Sequence, residues 1–157
     1  MTAHATSTRV FATLDEFRAA AGETLGVGEW LEITQERIDA FADVTGDHQW
    51  IHVEPERAAQ GPYGATIAHG YLTLSLIPRL GAGIFTVHGA RMAINYGANR
   101  VRFPAPVTVG SRIRAVAALT EVTDTNAGLQ AVVRYTIEID GCEKPACVAE
   151  TVRVLIP

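Results

Sequence analysis

Hydrophobic and polar positions follow a helical period in the first half of the chain. Four apolar residues recur at near-helical spacing after Thr34, a residue suited to begin a helix: Ile38, Phe41, Ala42 and Val44. Gly46 follows them, at the place where helices commonly end in a left-handed glycine. The pattern therefore predicts a helix from Thr34 to Gly46 and places Asp47 in the loop directly after it.

Three further segments have helical signals. Thr13-Leu-Asp-Glu16 has the spacing of a capping box, and Gly22 ends the short helix that this box begins. Pro55 suits the first position of a second short helix, 55–59. The stretch 68–80 is apolar on nearly every side, which predicts a buried helix.

From about Met92 onward, apolar and polar residues alternate with period two, which is typical of β-strands. Asp140-Gly141 is a hairpin signal, and a last strand follows it from Val148 to Ile156. Helices in the first half and antiparallel strands in the second predict one α+β domain, 1–157, with a long curved sheet around a central helix. Such a sheet leaves one edge exposed, and pairing with a second copy would cover it.

Composition and charge exclude several classes of protein. The chain of 157 residues is 48% hydrophobic and 19% charged, which suffices for a core, and its net charge is -4 with no basic run. Neither nucleic acid nor a membrane surface is therefore an expected partner. MTAHATSTRV holds no apolar stretch long enough for a signal peptide, so we expect a cytoplasmic protein. Cys142 and Cys147 lack a metal-binding spacing and are expected to be reduced thiols.

Asp47 and His52 are the first candidates for chemistry. They lie five residues apart in the sequence, on the loop that ends the predicted helix, where catalytic groups are often found. An Asp and a His together can hold one water molecule and pass protons in both directions. Spacing alone also permits a turn role for Asp47 and a structural role for His52, and it leaves His48 as an alternative.

The second candidate is Ala68-His69-Gly70, at the start of the predicted buried helix. Backbone N–H groups of a first helical turn lack intrahelical acceptors and suit a developing negative charge, and a glycine there allows close approach of a substrate. Gly70 could therefore build an oxyanion hole, or it could merely allow the helix to pack tightly on the sheet.

Together these strings resemble a known family. GDHQWIH, the Pro-Glu-Arg-Ala segment after it and IAHGYLTLSL are similar to the hydratase signature of MaoC-like dehydratases, and NYGANRVRFPAPVTVGSRIR is similar to a strand of that family. The resemblance is strongest to the single-hotdog, NodN-like branch, and it implies an α+β hotdog fold. The chain departs from the general pattern at Gln49-Trp50, which replace Asn-Pro, and at Pro78, where some members carry a serine.

The resemblance implies an (R)-specific enoyl-CoA hydratase, which adds water reversibly to a trans-2-enoyl thioester. It assigns the catalytic roles to Asp47 and His52, the polarisation of the thioester carbonyl to the N–H of Gly70, and a place near the pocket to Asn99. His69 is expected to be structural. The implied substrate is an acyl-CoA or acyl-carrier thioester, with no metal and no cofactor besides the coenzyme A of the substrate, and the implied assembly is a homodimer. A hotdog thioesterase and a non-catalytic acyl-thioester binding protein are the alternatives.

Overall fold

The computed structural model describes residues 7–157. Residues 1–6 lie outside this part, and with them most of the segment considered above for a signal peptide. The helices are α1 Leu14–Ala19, α2 Gln35–Thr45, α3 Trp50–Val53, α4 Pro55–Ala59, α5 Gly70–Ser75 and α6 Ile77–Leu80. The strands are β1 Arg9–Phe11, β2 Thr24–Val27, β3 Leu31–Glu32, β4 Phe85–Val87, β5 Met92–Arg102, β6 Arg112–Thr125, β7 Gly128–Ile139 and β8 Cys147–Ile156.

A long antiparallel sheet packs one face against the helices. Its strand order is β2-β6-β7-β8-β5, with β3 also paired to β6, while β1 and β4 form a separate parallel pair. The alternation predicted for β6 is confirmed, because four alternate side chains are fully buried in the core: Ile113, Ala115, Ala117 and Leu119. They share that core with Leu72 of α5 and Ile77 of α6. The predicted α+β hotdog architecture, a curved sheet around a central helix, is therefore confirmed.

Helix α2 begins and ends as its sequence predicts. The Thr34 hydroxyl accepts a hydrogen bond from the N–H of Arg37 at 3.3 Å, and Gly46 adopts a left-handed φ of 75°. The placement of Val44 on the apolar face is wrong, because its side chain is 86% exposed while Ile38 and Ala42 are buried. Ile38 and Ala42 are four residues apart and share a face, whereas Val44 lies roughly 200° around the helix from Ala42.

This difference gives a matched pair of stability variants on one helix. Ile38→Ala is expected to lower the free energy of unfolding by about 2–5 kcal/mol, because it removes fully buried carbon atoms and leaves a cavity. Val44→Ala is expected to change it by no more than about 0.5 kcal/mol, since an exposed side chain loses little packing. Urea unfolding of both variants measures the two values. Equal losses would mean that α2 does not pack as described.

The central helix and the segment before it differ from the prediction. Residues 68–80 form two short helices, because Pro78 has no N–H to donate to the carbonyl of Leu74. The pair is not buried on all sides, since Tyr71 is 71% exposed. His52 lies in the short helix α3 and not in a loop.

Strands β1 to β4 were not predicted from the sequence. None of them exceeds four residues, which is too short for a clear alternation of apolar and polar side chains.

The structure also bears on membrane-spanning helices and on the state of the two cysteines. Within residues 7–157, no helix is both long enough and apolar enough to span a membrane. Cys142 is exposed, Cys147 is buried, and both are free thiols as expected. Burial raises the pKa of the Cys147 thiol to about 11, which keeps that group protonated and unreactive at neutral pH.

Candidate active site

The loop after α2 holds Asp47 with its carboxylate facing solvent. The left-handed Gly46 turns the chain out of the helix, and the side chain of Asp47 is 55% exposed. Its carboxylate accepts a weak hydrogen bond from the N–H of Gln49 at 3.4 Å, which is an Asx-type turn. Its main-chain carbonyl accepts a hydrogen bond from Nε2 of His69 at 2.9 Å. The backbone is thus fixed while the carboxylate remains available to a ligand.

His52 is buried and held in one orientation. Its Nδ1 lies 2.7 Å from the carbonyl oxygen of Ile67, and since a carbonyl only accepts, Nδ1 carries the hydrogen. Nε2 of the neutral ring therefore keeps its lone pair. The Ile67 backbone is itself fixed. Its N–H donates to the carbonyl oxygen of Ile51, and Ile67 forms an antiparallel β-bridge with Thr108. This is the geometry of a histidine that can accept a proton at Nε2.

A side-chain clamp, which the sequence did not indicate, supports this histidine. The amide nitrogen of Gln35 donates to the carbonyl of His52 at 2.7 Å and to Asp39 at 2.8 Å. The buried hydroxyl of Thr66 donates to the amide oxygen of the same Gln35. Gln35 thus ties α2 to the backbone of His52 and to the residue before Ile67. These contacts span 17 and 31 positions, so no local pattern could have revealed them.

His69 connects the two candidate residues. Its side chain is 3% exposed, its ring stacks on that of His52 with 3.7 Å between centroids, and its Nε2–H donates to the Asp47 carbonyl. One possible ligand atom from each of Asp47, His52 and His69 lies within 4.8 Å of the others. Such a group could hold either a water molecule or a metal ion. The structural role of His69 stays a prediction, and these contacts place its ring against both Asp47 and His52.

Electrostatics keep the buried imidazole neutral. Burial lowers the pKa of His52 below its ordinary value, because the charged ring would lose its hydration. The hydrogen bond to Ile67 raises it again in part, the adjacent His69 ring lowers it, and the Asp47 carboxylate raises it. The balance is a lowered pKa, so the ring is neutral at pH 7 and its Nε2 can act as a base.

His48, the alternative histidine, has a different partner. Its Nε2 lies 2.8 Å from the carboxylate of Asp43 on α2, and its side chain is half exposed. This hydrogen bond raises the pKa of His48, which burial alone would lower. His48 therefore belongs to a surface pair with α2, and His52 is the histidine that lies against His69.

Gly70 and Asn99 lie in separate elements. Gly70 is the first residue of α5, and a Cβ there would lie 3.0 Å from the ring of Phe103, so the missing side chain permits this packing. Asn99 lies on β5, where the register with β8 shifts, and it is exposed. Within residues 7–157 it makes no hydrogen bond to Asp47 or His52. The structure thus brings Asp47, His52 and His69 together, and the roles of Gly70 and Asn99 stay predictions.

Comparison with known proteins identifies the family. Residues 16–141 match the MaoC like domain. The chain is 57% identical to 3-hydroxyacyl-thioester dehydratase Z of Mycobacterium tuberculosis over 145 residues, 92% of this chain and 96% of that one. It is 42% identical to nodulation protein N of Rhizobium leguminosarum bv. viciae over 146 residues, 91% of each. The (R)-hydratase of A. caviae, a solved structure, superposes with a TM-score of 0.66 at 25% identity, over 82% of this chain and 96% of that one.

These matches cover nearly the whole domain. The fold places the chain in the class of hotdog proteins. The chain belongs to the MaoC-like dehydratase family. The resemblance read from GDHQWIH and IAHGYLTLSL is thereby confirmed.

Proposed function

We propose that the protein is an (R)-specific enoyl-CoA hydratase, acting equally as a 3-hydroxyacyl-thioester dehydratase in the reverse direction. The observation that carries the proposal is the group formed by Asp47, His52 and His69, in which a neutral, oriented imidazole lies close to an exposed carboxylate. The relatives named as a 3-hydroxyacyl-thioester dehydratase and an (R)-hydratase support the same reaction class.

In the hydration direction, one water molecule is held between Asp47 and His52. One of the two side chains accepts a proton from the water as its oxygen bonds to C3 of the trans-2-enoyl thioester. The electron pair of the double bond moves to give an enolate, whose oxygen accepts a hydrogen bond from the N–H of Gly70. A proton then passes to C2, so that the net change is the addition of H and OH. No step requires a metal or a cofactor, and coenzyme A enters as part of the substrate.

Hydration of crotonyl-CoA tests the proposal. We expect loss of the enoyl absorbance and formation of the (3R)-3-hydroxybutyryl thioester, identified by chiral analysis of the product. Release of free thiol would instead indicate a thioesterase. Binding of crotonyl-CoA and longer enoyl-CoAs without any turnover would indicate an acyl-thioester binding protein and would exclude the hydratase.

The lowered pKa of His52 predicts the acid limb of the pH profile. An imidazole accepts a proton only when it is neutral, and with His52 as the base kcat/KM for hydration therefore falls only as pH drops through the pKa of His52, below the ordinary value of 6.5. The measurement is kcat/KM against pH with crotonyl-CoA. His48→Gln serves as the control and is expected to keep the same profile, because His48 titrates in a separate surface pair. A midpoint above 6.5 that disappears in His48→Gln would show that the titrating base is His48.

A further inference from the structure

Arg153 on β8 is a cation placed on the core face of the sheet. Its neighbours two positions away along the strand, Thr151 and Leu155, share that face, and Leu155 belongs to the hydrophobic core. Its Nη2 donates to the hydroxyl of the fully buried Tyr135 at 3.2 Å, and its guanidinium lies 5.9 Å from the ring centres of Tyr135 and Phe85. An arginine side chain stays charged in proteins, so this charge has to be stabilised where it lies.

The surroundings of Arg153 do not neutralise the charge. Its Nε is buried and has no hydrogen-bond partner among the residues that the structure describes. No carboxylate of residues 7–157 lies within 4.0 Å of its guanidinium nitrogens to form an ion pair. The Tyr135 hydroxyl uses one of five N–H groups and carries no charge, because burial raises the pKa of that phenol. A half-buried cation without a counter-ion is costly, which points to a ligand.

Two cavities open beside this guanidinium. The larger, about 320 Å³, lies between the central helix and the edge strand, with Leu74, Ile77 and Pro78 on the helix side and Gly97 on the strand side. The smaller, about 220 Å³, is also lined by Arg153, with mainly apolar side chains around it and Arg91 as a second cation. No acidic residue of the described part of the chain lines either cavity. The walls are therefore mainly apolar, with Ser75, Asn95 and Thr151 as polar exceptions in the larger cavity, and the charge at Arg153 is positive.

We propose that Arg153 binds a carboxylate at the far end of the acyl chain, so that the preferred substrates are trans-2-enoyl thioesters of dicarboxylic acids. This inference rests on the proposed hydratase function. A chain whose thioester carbonyl lies at Gly70, the start of α5, and which follows the helix to Ile77 runs roughly 11 Å along the axis. There it meets the apolar walls of the larger cavity and then the guanidinium. Asn95, directly opposite Arg153 on β5, adds a side-chain amide at the same point.

The guanidinium of Arg153 matches a carboxylate better than it matches any uncharged end of an acyl chain. A guanidinium presents paired N–H donors that match the two oxygens of a carboxylate, and a charge-assisted pair of this kind satisfies the cation that the protein alone leaves unpaired. A monocarboxylic acyl chain would instead place a methyl group against the charge. The discrimination is therefore between two substrates of equal length that differ only at the far end.

The experiment compares matched pairs of substrates on the wild-type protein: trans-2-hexenedioyl-CoA against trans-2-hexenoyl-CoA, and trans-2-decenedioyl-CoA against trans-2-decenoyl-CoA. We expect kcat/KM to be higher for the dicarboxylic member by about ten- to a hundredfold at the length that reaches Arg153, as expected for a hydrogen-bonded charge pair. Arg153→Met is expected to abolish or reverse this ratio while the protein still hydrates the monocarboxylic substrates. Arg153→Lys, which keeps the charge, should retain part of it.

Arg134→Met is the matched control, because Arg134 is an exposed cation on the adjacent strand β7, and it should leave the ratio unchanged. Turnover of the monocarboxylic substrates with no preference in the wild type, or an unchanged ratio in Arg153→Met, would overturn the inference and leave the hydratase proposal intact. A weaker dimer in Arg153→Met with an unchanged ratio would place the counter-ion in a second copy and also overturn it. Absence of hydration on every substrate would instead contradict the proposed function.

Discussion

Asp47→Asn and His52→Gln are each expected to lower kcat/KM for the hydration of crotonyl-CoA by about 10²–10⁴-fold, the usual contribution of a positioned acid or base. Asn keeps the size of the Asp47 side chain and its turn hydrogen bond to Gln49 but cannot take up a proton. Gln can still donate to the carbonyl of Ile67, so the buried acceptor keeps a partner, but it offers no basic nitrogen. Steady-state kinetics measure the loss, and circular dichroism checks that the fold persists.

His48→Gln is the matched control for the histidine variant. It makes the same chemical change four positions earlier in the chain, in a half-exposed side chain paired with Asp43, and it should leave kcat/KM near that of the wild type. Near-native turnover of Asp47→Asn or of His52→Gln would remove that residue from the mechanism. If His48→Gln lost activity while His52→Gln did not, the base would be His48.

The double variant Asp47→Asn/His52→Gln adds information about how the two groups act. If both hold the same water molecule, removing the second costs little once the first is gone, as is usual for residues that work as one unit. Losses that multiply would mean that Asp47 and His52 act in separate steps.

Local signals were sufficient for the parts of the site that lie next to each other in the chain. The cap at Thr34, the buried pair Ile38 and Ala42 and the left-handed Gly46 all act within a few residues, and they place Asp47 correctly at the end of the helix. The alternation of apolar and polar residues likewise predicted strand β6, because every second side chain of that strand is buried in the core. The acid/base roles proposed for Asp47 and His52 came from the motif and not from periodicity, since spacing alone left structural roles open.

Contacts between distant segments could not be predicted. The clamp of Gln35 on His52 and Thr66 depends on how α2 packs against two later segments, and the unpaired charge of Arg153 depends on which face of β8 meets the central helix. The break between α5 and α6 had a local cause, Pro78, but apolar residues on both sides of it masked the interruption. Tertiary packing decided the clamp of Gln35 and the unpaired charge of Arg153.

The edge strand β5 is the basis of the second prediction with a large effect. It lies at one end of the sheet order and, among residues 7–157, pairs on one side only, with β8. Three of its large apolar side chains are exposed: Met92 at 51%, Ile94 at 40% and Tyr96 at 72%. A long apolar edge with unpaired backbone groups promotes association, and a two-fold pairing of β5 with β5 of a second copy would satisfy those groups. We therefore expect a homodimer through this edge.

The double variant Ile94→Asp/Tyr96→Asp tests this interface. Each copy would bring two negative charges to the edge, so four would meet across the two-fold axis, and we expect the dimer to weaken by at least about a hundredfold. Sedimentation at several protein concentrations measures the change. Val10→Asp/Val44→Asp adds the same charge at exposed apolar positions away from β5, 58% and 86% exposed, and should leave the dimer unchanged.

Activity should follow assembly, because residues of the edge strand β5 form one wall of the larger cavity beside Arg153. A second copy paired there would close the open side of the cavity and exclude water from the acyl chain, whereas a monomer would leave that chain exposed. The interface variant is therefore expected to lose hydration activity in proportion to its dimer fraction and to regain it at high protein concentration. A variant that remained dimeric would place the interface elsewhere, and a fully active monomer would show that one copy forms the complete site.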